Sequence, residues 1–293
     1  MWKLTCANTV AMLRSRRLWI GAGFVAVVIN LLWSQTLAPG DEGFGLDFRV
    51  FEFLSVGAVL VPVVAALFIN TDYHDGTIRN KLCVGHSRPA VYLANLAVCC
   101  LAGVFYFALH LLTVLPLGHA LGGRLTRAPG ELLARGAASL GVLLSVTAIA
   151  VVVATLMTHR SVTVVIILMA ALLLDGAMLI ENQLAQPPEV PDITETVETI
   201  NGDGDTVIQY VDREGRLVKP AEAPMAPNPM YVGEPLRSVL RRANDLLPGG
   251  QIFQLMSLTE ERQPPWAIGL NGAATAALAT GLGLMLFRRR DLK

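Results

Sequence analysis

The stretch TDYHDGTIRNKLCVGHSRPAVYLANL, Thr71 to Leu96, is polar at its start and carries Arg79, Lys81 and Arg88. On each side of it lies a run apolar enough to cross a bilayer. Thr77 is a good helix N-cap, and nothing from Thr77 to Val84 breaks a helix until Gly85. Ser87 caps the next helix, with Arg88 and Pro89 in its first turn. The spacing predicts a short helix over Thr77–Val84, held between two long apolar segments. It has a basic edge (Arg79, Lys81) and an apolar one (Ile78, Leu82). Physics alone leaves two readings open, a plain loop or a docking knob for another protein.

The flanking runs belong to a chain of membrane composition. Of 293 residues, 53% are hydrophobic and only 16% charged, with mean hydropathy +0.53. Soluble domains carry about 25% charged residues. The net charge is zero, so nothing in it argues for nucleic acid. A helix needs about 20 mostly apolar residues to span a bilayer. Six segments qualify: Leu18–Gln35, Phe51–Asn70, Val91–Leu117, Gly136–Met157, Val162–Ile180 and Trp266–Phe287. Each is expected to be helical, because lipid offers backbone groups no partner except one another. Pro62 and Pro116 are candidates to kink or end their helices. No cleavage site follows the first apolar run, which is read as retained.

Orientation follows from the short loops. Placing the N-terminus in the cytosol collects Lys3, Arg14, Arg16, Arg17, Arg79, Lys81, Arg88, Arg160, Arg288, Arg289, Arg290 and Lys293 on that side. The opposite short loops hold Arg49, Arg124, Arg127 and Arg135. Both termini are therefore expected to be cytosolic.

The expected fold is an all-α polytopic membrane protein with six transmembrane helices. Residues 1–17 read as an interfacial amphipathic helix, with Trp2, Leu4, Val10 and Leu13 toward lipid and Lys3 and Arg14 toward water. Residues 18–180 hold spans one to five, 266–287 the sixth, and 288–293 a cytosolic tail. Between spans five and six, residues 181–265 form a small extracellular α+β insertion. This segment has fourteen acidic and seven basic residues and eleven of the sixteen prolines. Within it, TVIQYVDREGRLVKP alternates around a Glu-Gly turn and predicts a β-hairpin. EPLRSVLRRANDLLPGG puts Leu236, Val239, Leu240, Ala243 and Leu247 on one helical face, with Pro-Gly-Gly as its stop. QIFQLMSL follows as a short helix or segment expected at the membrane surface.

Motifs for chemistry are sparse. There is no G-x-x-x-x-G-K-[ST], G-x-S-x-G or H-E-x-x-H. His74, His86, His110, His119 and His159 are scattered without ligand spacing, and no C-x-x-C pair exists, so no metal is expected. NGDGD (Asn201–Asp205) resembles a calcium loop but lacks glycine at the sixth position and glutamate at the twelfth, and reads as a turn. None of Cys6, Cys83, Cys99 and Cys100 lies in an outer loop, so no disulfide framework is expected. Asp175 follows the apolar run VTVVIILMAALLL. At mid-helix an Asp costs roughly 2.5–3.5 kcal/mol on insertion scales, so it reads either as a pathway or gating residue or as an anchor near the outer leaflet. Gly272, Ala276 and Thr280 recur at four-residue spacing and read as a helix-packing stripe.

DGTIRNKLCVGHSRPAVYLANL resembles the first cytoplasmic loop of type-2 ABC-transporter permeases, the membrane-spanning subunits of bacterial ABC exporters. PNPMYVGEPLRSVLRRANDLLPGGQ (Pro227–Gln251) is similar to the segment before their last span, and FRRRDLK to a common ending. The resemblance implies a permease subunit of an ATP-driven exporter in the bacterial cytoplasmic membrane, working as a dimer with an identical or homologous second permease. It implies a coupling helix at 77–84 that docks a cytosolic ABC ATPase, two copies per transporter, through Asp75, Thr77, Ile78, Arg79, Asn80, Lys81 and Leu82. ATP and Mg would then sit on that partner, and this chain would bind no cofactor and catalyse nothing itself. The alternative is a receptor or sensor with an extracellular ligand-binding loop, which needs no basic helix between spans two and three.

Overall fold

The computed structural model describes residues 1–29, 46–157, 162–200, 206–212, 215–218, 225–256 and 263–289. Its helices are α1 (Trp2–Arg14), α2 (Arg16–Gly23, running on as a π-helical Phe24–Ile29), α3 (Leu46–His74), α4 (Thr77–Cys83) and α5 (Arg88–Ala120). They continue as α6 (Pro129–Leu156), α7 (Val162–Ala185), α8 (Leu236–Leu246), α9 (Pro248–Met256) and α10 (Pro265–Arg289). Five of them, α3, α5, α6, α7 and α10, are long and apolar enough to cross a membrane. The architecture is nearly all-α and that of a multi-pass membrane protein. The first expected span, Leu18–Gln35, is described only as far as residue 29. NGDGD (201–205), His159 and residues 290–293 of the basic ending lie outside the described residues.

The chain divides into two units, one of residues Met1–Met178 with Asn244–Lys293, the other Leu179–Ala243. In the larger unit α6 is the central helix and packs on α10, α3, α5 and α9. Small residues set its closest approach. A Cβ on Gly141 would lie 2.6 Å from the Gly269 carbonyl oxygen, and one on Gly272 would lie 2.7 Å from the Gly141 carbonyl carbon. Gly272, the first residue of the expected small-residue stripe, therefore sits where backbones meet. The helices overrun their apolar windows at most ends, and neither Pro62 nor Pro116 ends its helix. At one end of the bundle Asp47 Oδ2 accepts from Thr126 N at 2.9 Å and from the Thr126 hydroxyl, which ties the start of α3 to the α5–α6 loop. His110 is buried beside it, stacked on Phe53 with Nε2 3.0 Å from the Arg49 carbonyl.

Two expectations about amphipathic segments are corrected. In α1, Leu4 does not face lipid. Leu4, Asn8 and Met12 are buried, and Asn8 Nδ2 donates to Asn95 Oδ1 of α5 at 2.6 Å. A buried amide needs a partner, and the i, i+4, i+8 spacing aims this face at α5; Trp2, Val10 and Leu13 remain exposed. QIFQLMSL is not at the surface either. Its described part belongs to α9, in which Gln251, Ile252, Gln254 and Leu255 are buried. The preceding helix α8 does stop at Leu246, just ahead of Pro-Gly-Gly, and the same Pro248 then opens α9 in its first turn. Gly249 lets α9 reach α7, since a Cβ there would lie 2.8 Å from the Ala177 Cβ. Arg135 Nη1 donates to the Leu255 carbonyl at 2.6 Å, and Gln254 Nε2 to Asp245 Oδ1 at 2.8 Å.

The smaller unit holds the sheets. β1 (Glu189–Pro191) pairs antiparallel with β5 (Met225–Pro227), and β2 (Ile193–Ile200), β3 (Thr206–Asp212) and β4 (Leu217–Val218) form a second, antiparallel sheet. The expected hairpin is the β3–β4 pair, with Tyr210 opposite Val218 and Gly215 at φ 77°. The strand β2, opposite β3 from Thr206 to Asp212, extends it.

Candidate functional site

The loop helix α4 is built on Asp72. After α3 ends, Gly76 at φ 66° turns the chain back, a conformation that favours glycine. Gly76, not Thr77, is thereby the N-cap. The reversal brings Thr77 over the last turn of α3, where its hydroxyl donates to the Asp72 carbonyl at 3.0 Å and to Asp72 Oδ1 at 2.8 Å. The Lys81 ammonium forms an ion pair with Asp72 Oδ2. One carboxylate thus fixes both the first and second turns of a seven-residue helix.

That helix is too short to hold itself, since isolated helices below about 12–15 residues are marginal in water. Its far end is closed by Gly85 at φ 98°, with the His86 amide donating to the Lys81 carbonyl at 3.2 Å and the Gly85 amide to Leu82 at 2.9 Å. Ser87 then caps α5, its hydroxyl accepting from the Ala90 amide at 3.4 Å. The helix is clamped to α3 at one side and to α5 at the other.

The two expected edges sort differently from the sequence reading. Ile78 is 2% exposed and Leu82 packs on the same core, so the apolar edge faces the bundle. Lys81 is committed to Asp72 and is not part of an open basic edge. The outward face is made of Asp75, Arg79, Asn80, Cys83 and Val84, all exposed, with Val84 at 79%. Around it gather other groups of the same end of the bundle. Arg17 Nη1 donates to the Leu67 carbonyl at 2.7 Å and to the Thr71 hydroxyl, and Arg88 Nη1 to the Arg288 carbonyl at 3.1 Å. Arg17, Arg79, Lys81, Arg88 and Arg288, which the loop-charge argument assigns to one side, lie at one end of the larger unit.

Asp175 is far along the chain from this group, on α7. It is exposed, in line with the exposed Val164, Leu168, Leu172 and Leu179. It does not join the α4 site. Among the described residues no three of His, Cys, Asp and Glu converge as metal ligands.

Chemically, the α4 site is a solvent-facing knob whose outer face carries a carboxylate (Asp75), a cation (Arg79), an amide (Asn80), a thiol (Cys83) and an apolar side chain (Val84). The fold and this knob define a multi-pass membrane protein with a clamped polar helix between two of its spans. No protein-family model matches the sequence, and comparison with curated proteins finds no match.

Proposed function

We infer that this chain is the membrane-spanning subunit of an ATP-driven ABC exporter, of the type-2 permease kind, in the bacterial cytoplasmic membrane with both termini cytosolic. Two such subunits, identical or homologous, line the pathway, and each offers α4 to a cytosolic ATPase. The observation that carries this reading is the two-sidedness of α4. Thr77, Ile78, Lys81 and Leu82 are spent on attachment to the bundle, which leaves Arg79, Asn80, Cys83 and Val84 for a partner. A helix attached in this way moves with α3 and α5, so a push on its outer face is delivered to two spans at once. The residues that match the permease loop pattern are the same ones that build the clamp and the knob.

In this reading nucleotide chemistry belongs to the ATPase, and Asp175 is a pathway or interface residue that a second permease covers. An aspartate in an apolar stripe is costly against lipid and is expected to face protein or water. The test is purification of the tagged chain from its native membranes in mild detergent. An ATP-hydrolysing subunit bearing a phosphate-binding loop should co-elute, and Arg79→Glu with Val84→Asp should release it while the permease stays monodisperse. A monodisperse chain that never carries such a subunit contradicts the proposal.

A further inference from the structure

A cavity of about 720 Å³ opens on the side of the bundle between α2 and α3. Ile20 and Phe24 line one wall, and Val56, Val59, Val63 and Leu67 the other. On α3 the lining runs from Ser55 to Leu67, a rise of about 18 Å along the helix. Half of a bilayer's hydrocarbon core is about 15 Å deep. The cavity thus has the length of one leaflet.

Among the described lining residues, polar side chains stand only at the two ends, Ser55 at one and Arg17 at the other. At the far end the Ser55 hydroxyl already donates to the Glu52 carbonyl at 2.8 Å. At the near end stands Arg17. Its Nη1 is held by the Leu67 carbonyl and the Thr71 hydroxyl, which fixes the plane of the guanidinium. Its Nη2 and Nε have no partner among the described residues. A fixed guanidinium with unused donors suits the bidentate recognition of a phosphate. Beyond it the walls are aliphatic and aromatic.

We propose that this groove is a binding site for one anionic phospholipid, with its phosphate on Arg17 and one acyl chain along Val56–Leu67. The occupant follows from the chemistry: a single anionic head, an apolar tail one leaflet long, and a site that opens sideways on a membrane protein. The proposal stands independently of the ATPase reading, because it needs only that the helices cross a bilayer.

The test is native mass spectrometry of the full chain purified with phosphatidylglycerol and then exchanged into lipid-free detergent. The wild type should retain a phosphatidylglycerol adduct that Arg17→Gln loses. Val59→Trp, which fills the groove and leaves Arg17 in place, should lose it too. Arg16→Gln, a neighbouring exposed cation outside the cavity, should keep it. Retention of the adduct by both Arg17→Gln and Val59→Trp overturns the proposal, and if Arg17→Gln does not fold, Val59→Trp decides alone. Inorganic phosphate should not displace the lipid; displacement at millimolar phosphate makes this a simple anion site and also overturns it.

Discussion

Replacing Asp72 with alanine should release α4 from the bundle. The substitution removes the Oδ1 acceptor of the Thr77 hydroxyl and the Oδ2 partner of Lys81, leaving only the Thr77 bond to the Asp72 carbonyl. The Asp72 and Lys81 side chains are 14% and 16% exposed, so solvent screens the pair only in part. Hydrogen bonds to charged groups contribute about 1.5–3 kcal/mol each. With water re-entering the opened site, a net loss of about 2 kcal/mol is a fair figure, which is a factor of about 30 in a local opening equilibrium. The helix has only seven residues to resist with. Amide hydrogen exchange followed by mass spectrometry reads the opening directly. Peptides covering 77–86 should exchange about thirtyfold faster in Asp72→Ala, while those from the middle of α5 keep their protection. Asp72→Asn, which keeps an acceptor for Thr77, should fall between. Unchanged exchange at 77–86, or a loss of protection spread evenly through α5, would refute the assignment of Asp72 as the clamp.

Ile78→Asp places a carboxylate at a 2%-exposed position in the hydrophobic core; an unpaired buried charge costs several kcal/mol, so thermal unfolding of the purified chain should shift down even without any partner, and an unchanged midpoint would mean the side chain is not buried. Gly272→Val demands a Cβ 2.7 Å from the Gly141 backbone, so α6 and α10 must separate and the detergent-solubilised protein should lose thermal stability, whereas Gly281→Ala, with open space around it, should be neutral. Asn8→Ala orphans the Asn95 amide, at about 1–3 kcal/mol for a buried unpaired group, and limited proteolysis should cut earliest between α1 and α2.

The long apolar runs were legible because lipid permits little except helices, and five appear as helices wider than their apolar windows. Their extra turns come from polar anchoring that hydropathy does not register, such as Asp47 bonding Thr126 some eighty residues away. The position of α4 was legible for the same reason a turn is: Thr77, Gly85 and Ser87 punctuate it, although the cap itself is Gly76. Which way it faces was not. A seven-residue helix with two apolar and two basic residues reads equally well with its apolar edge toward the bundle or toward a partner. Only the reversal at Gly76 decides, by bringing Lys81 onto Asp72, a pair nine residues apart that no helical spacing rule links. Pro-Gly-Gly was legible as the stop of α8, which ends at Leu246, but not as the start of a second helix buried in the bundle. In the fold the glycines serve close packing against α7 and Asn244, and the proline opens a helix. The strand β2 escaped because its Thr and Glu residues hide a β-branched alternation within an acidic stretch.

In the proposed function the outward face of α4 meets an ATPase. A photo-crosslinking amino acid at position 84, in place of the most exposed apolar residue of this face, tests it in the native membrane. After irradiation and purification, peptide mapping should place the crosslink on a cytosolic chain that carries G-x-x-x-x-G-K-[ST] and hydrolyses ATP. The same probe at position 78, which is buried against the bundle, should crosslink only within this chain. A crosslink from position 84 that goes only to lipid, or to a chain without a nucleotide site, would contradict the account.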